Sequence, residues 1–394
     1  MKMYRRQLRL LRNILYLREN SRVKVNEARQ VHGFGDSGGG DGGHSDDMAF
    51  DANISDKTVS TKEVISDKRV KRKAFVNARF PILLFPGQGS QFVGMGKKAL
   101  HYPGVKEMYE EISEHFRKDI LKLCLLGPKE ELDKTINCQP AVFITSLAAV
   151  EMMKELYPEI LEGPTCMAGY SLGEITACVC AGVLSFTDAL TLLNTRAYSM
   201  QEASEEVGSG MLTMTISHQS KLGLAKEAAM KFCKSECGIL NPVVQTASYL
   251  TPYHKVVAGH NEALDFISDT SQQFGLKGCK RLPVSGAFHT MLMDSARKEM
   301  YSTIKNIDVT TKTKHRVYYN VTGKTTSQEN FVKKNLCEQL VHPIKWEQAM
   351  QSIYGRPLGE EFPQTYEVGP GGQLGYILRL INKKAYSNYR RIEV

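Results

Sequence analysis

Nowhere in the 394-residue chain do about 18 apolar residues follow one another, so the sequence offers no membrane-spanning helix. Tracts such as Ala141 to Val150, broken by Thr145 and Ser146, have the length of core helices. Paired or metal-binding cysteines are missing too. The nine cysteines are an odd number, scattered from Cys124 to Cys337 without zinc-ribbon spacing. Buried free thiols in a reducing compartment are the expectation, with no metal and no redox cofactor. Gly (32) and Pro (14) are close to average abundance, which excludes collagen-like and largely disordered chains. Internal repeats are also absent. With 42% hydrophobic and 24% charged residues, enough ordinary globular chain remains for one large domain or two unequal ones.

Net charge is scarce where a nucleic-acid-binding domain would need it. The formal charge is +9, but residues 1–30 alone hold nine Lys/Arg against two Glu, and residues 31–80 balance. From Pro81 onward 34 basic residues face 32 acidic ones, so no nucleic acid is expected as a partner. On a helical projection of the leader, Leu8, Leu11, Ile14 and Leu15 share one face while Arg5, Arg9 and Arg12 share another. Being Arg-rich and acid-poor, with no signal-peptide apolar region, residues 1–30 read as a mitochondrial presequence. The alternative is a basic helix that stays attached or lies on a membrane surface. Residues 31–79, including GFGDSGGGDGGH from Gly33 to His44, bury too little to offset their ordering entropy and read as a flexible low-complexity segment.

The folded body is expected to begin near Arg79, with Phe80 to Phe85 as the first buried strand. Strand-like runs then alternate with helical stretches, which points to an α/β fold. Helical patterns cover Val105 to Leu126, Gln139 to Leu156 (with Pro140 in the first turn) and Ile175 to Val183, the last preceded by a short strand at Cys166 to Gly169. Between about Glu205 and Lys280 the pattern changes. Strands at Met211 to Ile216, Val256 to Gly259 and Leu282 to Val284 alternate with helices Gln219–Cys233 and Asn261–Phe274, suggesting a small inserted α+β unit.

Gly169-Tyr170-Ser171-Leu172-Gly173 matches G-x-S-x-G between an expected strand and helix. A serine on such a turn needs small neighbours, and the amide after it faces developing negative charge at a helix N-terminus. The same five residues also suit a plain serine N-cap. A nucleophilic serine needs a base. His289, after a strand and a Ser-Gly turn in Leu282 to Thr290, stands out among ten histidines, although a loop histidine is more often an ordinary surface residue.

Pro86-Gly87-Gln88-Gly89-Ser90-Gln91, Gly169 to Glu174, Val284 to His289 and Tyr366-Glu367-Val368-Gly369-Pro370-Gly371 follow one another in that order. Together they resemble the malonyl-CoA:acyl-carrier-protein transacylase family over residues 80–383. The leader, Cys138 to Ala141 and Leu282 to Thr290 place the chain nearest its animal mitochondrial branch. The resemblance implies a large α/β-hydrolase-like subdomain with a parallel sheet (80–204 and 281–385) and a small inserted ferredoxin-like subdomain (205–280). It implies Ser171 as acyl-accepting nucleophile, His289 as base and later acid, and the amides of Gln88 and Leu172 as oxyanion hole. Arg196 would grip the malonyl carboxylate, and the main-chain carbonyl of Gln339 would orient the histidine. Tyr170 stands where many relatives carry histidine, and Ala247 to Pro252 lacks an asparagine usual in bacterial relatives. Glu174 reads as a first-turn acid at a helix N-terminus and not as a catalytic carboxylate.

The activity implied is transfer of malonyl from malonyl-CoA to mitochondrial acyl carrier protein, by a monomer in the matrix, for type II fatty-acid synthesis. Since carrier proteins are usually acidic, Lys231, Lys234, Lys277 and Lys280 are candidates for docking. Two rivals stand beside this reading. A serine hydrolase would take Asp265 or Asp269 as a third member, and a non-catalytic scaffold would have no need of Ser171, His289, Arg196 and Gln339 together.

Overall fold

The computed structural model describes residues 80–394. The expected presequence (1–30) and low-complexity segment (31–79) lie outside the described residues. In chain order the strands are β1 (Ile82–Phe85), β2 (Cys166–Gly169), β3 (Ser209–Thr215), β4 (Val244–Tyr249), β5 (His254–His260), β6 (Lys277–Arg281), β7 (Arg316–Tyr319), β8 (Lys324–Thr325), β9 (Thr365–Val368) and β10 (Tyr389–Ile392).

Continuous apolar runs without alternation, such as Ile82-Leu83-Leu84-Phe85, suit strands covered on both faces, and β1, β2 and β9 are buried at every position. They lie inside a six-stranded sheet of order β10-β9-β1-β2-β7-β8, parallel except for the β7–β8 hairpin. Glu367 is tolerated in buried β9 because its carboxylate accepts the N–H groups of Leu374 and Gly375 and the Tyr389 hydroxyl, which ties the helix Gln373–Ile381 to the sheet. β10 extends the sheet past residue 385, where the sequence reading ends the large subdomain. Its Tyr389-Arg390-Arg391-Ile392 is a charged outer-strand pattern that apolar-run reading passes over.

Helix Thr135–Leu156 is long and apolar enough to cross a membrane, yet it is buried in the core against the helices Phe186–Glu206 and Gly173–Cys180. It starts earlier than expected, so Pro140 stands inside the helix and not in its first turn. The single helical pattern from Val105 to Leu126 is two helices, Val105–Phe116 and Ile120–Leu126, broken where Arg117 takes φ 52°.

The second sheet is antiparallel, of order β4-β5-β3-β6. Helix Leu222–Glu236 joins β3 to β4, and helix Asn261–Asp269 joins β5 to β6, a β-α-β-β-α-β unit of the ferredoxin-like type. Two readings are corrected here. Strand β4, Val-Gln-Thr-Ala-Ser-Tyr, has too few large apolar residues to stand out, and the last strand is Lys277–Arg281 and not Leu282–Val284. β6 is an outer strand with exposed lysines, so it shows no apolar signal. All nine cysteines are free thiols, but Cys237 is exposed and Cys180 and Cys279 are half-buried, so they are not all core groups.

Parallel strands deliver their C-terminal ends to one edge of a sheet. At that edge β1 runs into Pro86 to Gln91, β2 into Tyr170 and Ser171, and β7 into Asn320.

Candidate active site

Between β2 and helix Gly173–Cys180 the backbone turns so sharply that Ser171 adopts φ 52°, a left-handed conformation that costs a non-glycine residue about 1–3 kcal/mol. The flanking glycines are required by packing. A Cβ at Gly169 would sit 1.8 Å from the carbonyl of Gly173, and one at Gly173 would sit 2.2 Å from the Phe85 oxygen. The turn is clamped by Asn320 at the end of β7. Its Oδ1 accepts the Ser171 N–H at 2.7 Å while its Nδ2 donates to the Gly169 carbonyl at 2.7 Å. Two buried bonds of about 0.5–1.5 kcal/mol each offset much of the strain.

Ser171 and His289, 118 positions apart, meet at 2.9 Å between Oγ and Nε2. His289 Nδ1 lies 2.7 Å from the Gln339 carbonyl oxygen. A carbonyl can only accept, so Nδ1 carries the proton and Nε2 is left as acceptor for the serine hydroxyl. Burial lowers the imidazole pKa to about 4; the Gln339 carbonyl opposes that shift and the Arg196 charge adds to it. The histidine is therefore neutral at physiological pH, the state a base requires. Asp265 is paired with Arg281, and both Asp265 and Asp269 are exposed, so neither is a third member beside His289.

Arg196, on helix Phe186–Glu206, is 2% exposed. It forms no surface ion pair with Glu202 or Glu205, the acids further along the same helix. Nη1 donates to Gln139 Oε1 at 2.7 Å, and Nη2 donates to Ser171 Oγ and Gln339 Oε1, each at 3.0 Å. The serine hydroxyl thus accepts from Arg196 while it donates to His289. Burial lowers the guanidinium pKa to about 10, against the raising influence of Glu174.

Gln339 does more than offer its carbonyl. Its Nε2 donates to the Ser171 carbonyl at 3.1 Å, so one residue fixes both members of the dyad and the arginine. The N–H groups of Gln88 and Leu172 have no protein acceptor among the described residues, as a site awaiting an oxyanion requires. Gly87 lets the loop approach the elbow, since a Cβ there would lie 2.3 Å from the Tyr170 oxygen.

Glu174 does lie in the first helical turn, but it is completely buried and not a surface acid compensating a dipole. One of its oxygens accepts the Asn320 main-chain N–H, and the other has no partner. Burial raises its pKa to about 8, opposed by that N–H, by the Gln339 side chain and by Arg196. The Tyr170 hydroxyl donates to Ser248 and its ring meets Trp346 edge-on, so the position often held by histidine is structural here. Among the lysines singled out for docking, Lys277 and Lys280 lie on outer strand β6 and Lys231 and Lys234 on helix Leu222–Glu236; all four are exposed. Asn320 and Gln139 were missed by the sequence reading. Asn320 had a weak signal, an asparagine directly after an apolar strand and before the Val321-Thr322-Gly323 turn. Among the described residues, no cluster of three or more His, Cys, Asp or Glu side chains is arranged to hold a metal ion.

A strained serine on an elbow, a neutral histidine against it and two free amides define a serine acyltransferase or hydrolase site, and residues 82–361 match the acyl transferase domain family. The mitochondrial malonyl-CoA-acyl carrier protein transacylase of the mouse is 46% identical over 313 residues, covering 79% of this chain and 82% of the mouse protein. The chain belongs to the malonyl-CoA-acyl carrier protein transacylase family. Among solved structures, the malonyl CoA-acyl carrier protein transacylase of Coxiella burnetii superposes with a TM-score of 0.69 at 31% identity, covering 80% of this chain and 94% of that one. A malonyl-transacylase in complex with its type II PKS acyl-carrier protein gives 0.67 at 28% identity, covering 79% and 94%.

Proposed function

We propose that this chain transfers malonyl from malonyl-CoA to the phosphopantetheine thiol of mitochondrial acyl carrier protein through an ester on Ser171, supplying type II fatty-acid synthesis. One observation carries the choice of substrate. A buried guanidinium touches the nucleophile without a carboxylate partner, so the site holds an unspent positive charge within reach of the acyl group. A neutral ester would leave that charge desolvated and unpaired, which disfavours the hydrolase reading.

In the first half-reaction Ser171 Oγ attacks the thioester carbon as its proton passes to His289 Nε2. The carbonyl oxygen becomes the oxyanion and is met by the amides of Gln88 and Leu172. Collapse breaks the carbon–sulfur bond, and His289 returns its proton to the departing coenzyme A thiolate. The second half-reaction runs the same steps in reverse with the carrier-protein thiol as nucleophile. No metal or redox group takes part. A monomer is sufficient for this chemistry, because the site is complete within one chain. The exposed lysines Lys231, Lys234, Lys277 and Lys280 offer charge to an acidic carrier protein.

Residues 80–204 and 281 onward act as the catalytic subdomain, with 205–280 as the inserted one. The basic amphipathic leader, together with relatives named as mitochondrial, supports import to the matrix with residues 1–30 removed. N-terminal sequencing of the endogenous protein should then find a start well after Arg29; retention of Met1 would dismiss the presequence.

Arg196→Ala tests the substrate assignment. A charged hydrogen bond is worth about 1.5–3 kcal/mol, or roughly 10- to 150-fold. Malonyl transfer should fall at least about tenfold while acetyl transfer is unchanged or improved. Lysine should restore only part of the loss, because it keeps the charge but not the two parallel donors. Equal loss for both acyl groups would make Arg196 a support of the fold and not a selector.

A further inference from the structure

The acyl-transfer steps give no part to Glu174, three residues after the nucleophile on helix Gly173–Cys180, although its side chain is wholly buried. A carboxylate in such a place needs donors at both oxygens. Glu174 has one: the Asn320 N–H meets one oxygen, and the other has no partner. Gln339 does not complete the set, since its Nε2 is committed to the Ser171 carbonyl at 3.1 Å. The position is thus poorly furnished for an anion, and a neutral carboxyl group loses far less there. Packed against this helix are β1, β2, β7 and the helices Thr135–Leu156 and Phe186–Glu206. Of the ionisable groups they carry, Arg196 and Tyr319 face the carboxyl, together with Cys178 one turn along its own helix. Burial keeps the thiol and the phenol neutral. Among the described residues Arg196 is therefore the one charge that Glu174 meets, and each favours the other's charged form. Even so they form no ion pair, because the arginine donates to Gln139, Ser171 and Gln339.

From this arrangement we propose that Glu174 serves as a neutral acid, and that its proton keeps Arg196 free for the carboxylate of a dicarboxylic acyl thioester. The proposal rests on the malonyl-transfer reading above. Once the proton leaves, a carboxylate and a guanidinium share one desolvated space, and the acyl carboxylate must compete with Glu174 for the same cation. Two like charges in a buried site disfavour each other, so ionisation of Glu174 weakens malonyl binding. The coupling is reciprocal: when malonyl seats on the ionised enzyme, Glu174 takes up a proton from solvent, and no other bond changes. With its pKa raised to about 8 by burial, Glu174 holds that proton at neutral pH and gives it up above. An acetyl thioester brings no carboxylate and does not sense the difference. Glu174 is thus a positioning residue for specificity, acting through Arg196 and not on the reacting atoms.

The test is the pH profile of the malonyl-to-acetyl ratio of acylation kcat/KM. Changes at Ser171, His289 and the departing thiol are common to both substrates and cancel in the ratio, whereas a purely structural role for Glu174 would not move it. In wild type the ratio should stay level to about pH 7.5 and fall at least about fivefold by about pH 9.5. Glu174→Gln keeps an acceptor for the Asn320 N–H but cannot ionise, so its ratio should show no such fall. A level wild-type ratio, or the same fall in the glutamine variant, overturns the proposal. Should the variant not fold, proton balance in wild type decides. In weak buffer at about pH 8, acylation by malonyl-CoA should take up about half a proton more than acylation by acetyl-CoA. Equal uptake overturns the proposal as surely. A wild-type protein that forms no malonyl adduct at all would instead defeat the transacylase reading on which the proposal stands.

Discussion

Alanine at position 171 should leave a folded protein that takes up no malonyl group. Wild type exposed to malonyl-CoA without carrier protein should gain one covalent malonyl, because the two half-reactions are separable. The Ala variant keeps the Cβ and therefore the left-handed backbone demand of the elbow, so its fold is tested equally and only the nucleophile is lost. Transfer to carrier protein should drop by on the order of 10⁴-fold or more, as when a covalent pathway is removed entirely. Intact-mass measurement decides the matter. An undiminished adduct in the variant would take Ser171 out of the mechanism and leave another group to be found.

His289→Ala should slow acylation by on the order of 10²- to 10⁴-fold, the range of a positioned proton acceptor. Its pH behaviour follows from the lowered pKa. Below the ordinary value of 6.5 the unfolded chain takes up a proton at this residue, whereas the folded chain does so only near about 4. Protonation of His289 thus favours unfolding, and its contribution to stability falls as pH drops from 6.5 toward 4. The same shift keeps the base neutral across that window, so the acid limb of acylation kcat/KM in wild type should lie well below pH 6.5. A limb centred at 6.5, or near wild-type acylation by the Ala variant, would remove His289 as the base.

What the sequence made legible was local. Gly169 to Gly173 announces its turn because glycine is required on both sides of the serine, and β1 announces itself because a strand buried on both faces must be apolar throughout. Gln339 and Arg196 were reached through resemblance, since nothing in their neighbours marks a buried donor or acceptor. Asn320 and Gln139 escaped for the same reason: each acts by closing a bond to a residue 149 or 57 positions away, and polarity at one position carries no record of its distant partner. Strands β4 and β6 escaped for another. A sheet edge or a thin covering tolerates Thr, Ser and Lys, so periodicity has little to report.

The Asn320 clamp has a consequence for when activity appears. Ser171 leaves the ribosome, or an import pore, long before β7, so the segment that will carry the nucleophile waits for a partner 149 residues downstream. Until β7 docks beside β2, no side-chain amide holds the Ser171 N–H and the Gly169 carbonyl, and a left-handed serine without that support relaxes to ordinary φ values. His289 and the Gln339 carbonyl come from the same late stretch of chain. Contacts of such long sequence separation close late, because the loop entropy must be met before they form. On the mechanism proposed above, a partly made or partly threaded chain is therefore chemically silent, and thioesters meet a competent serine only once the carboxy-terminal half is in place.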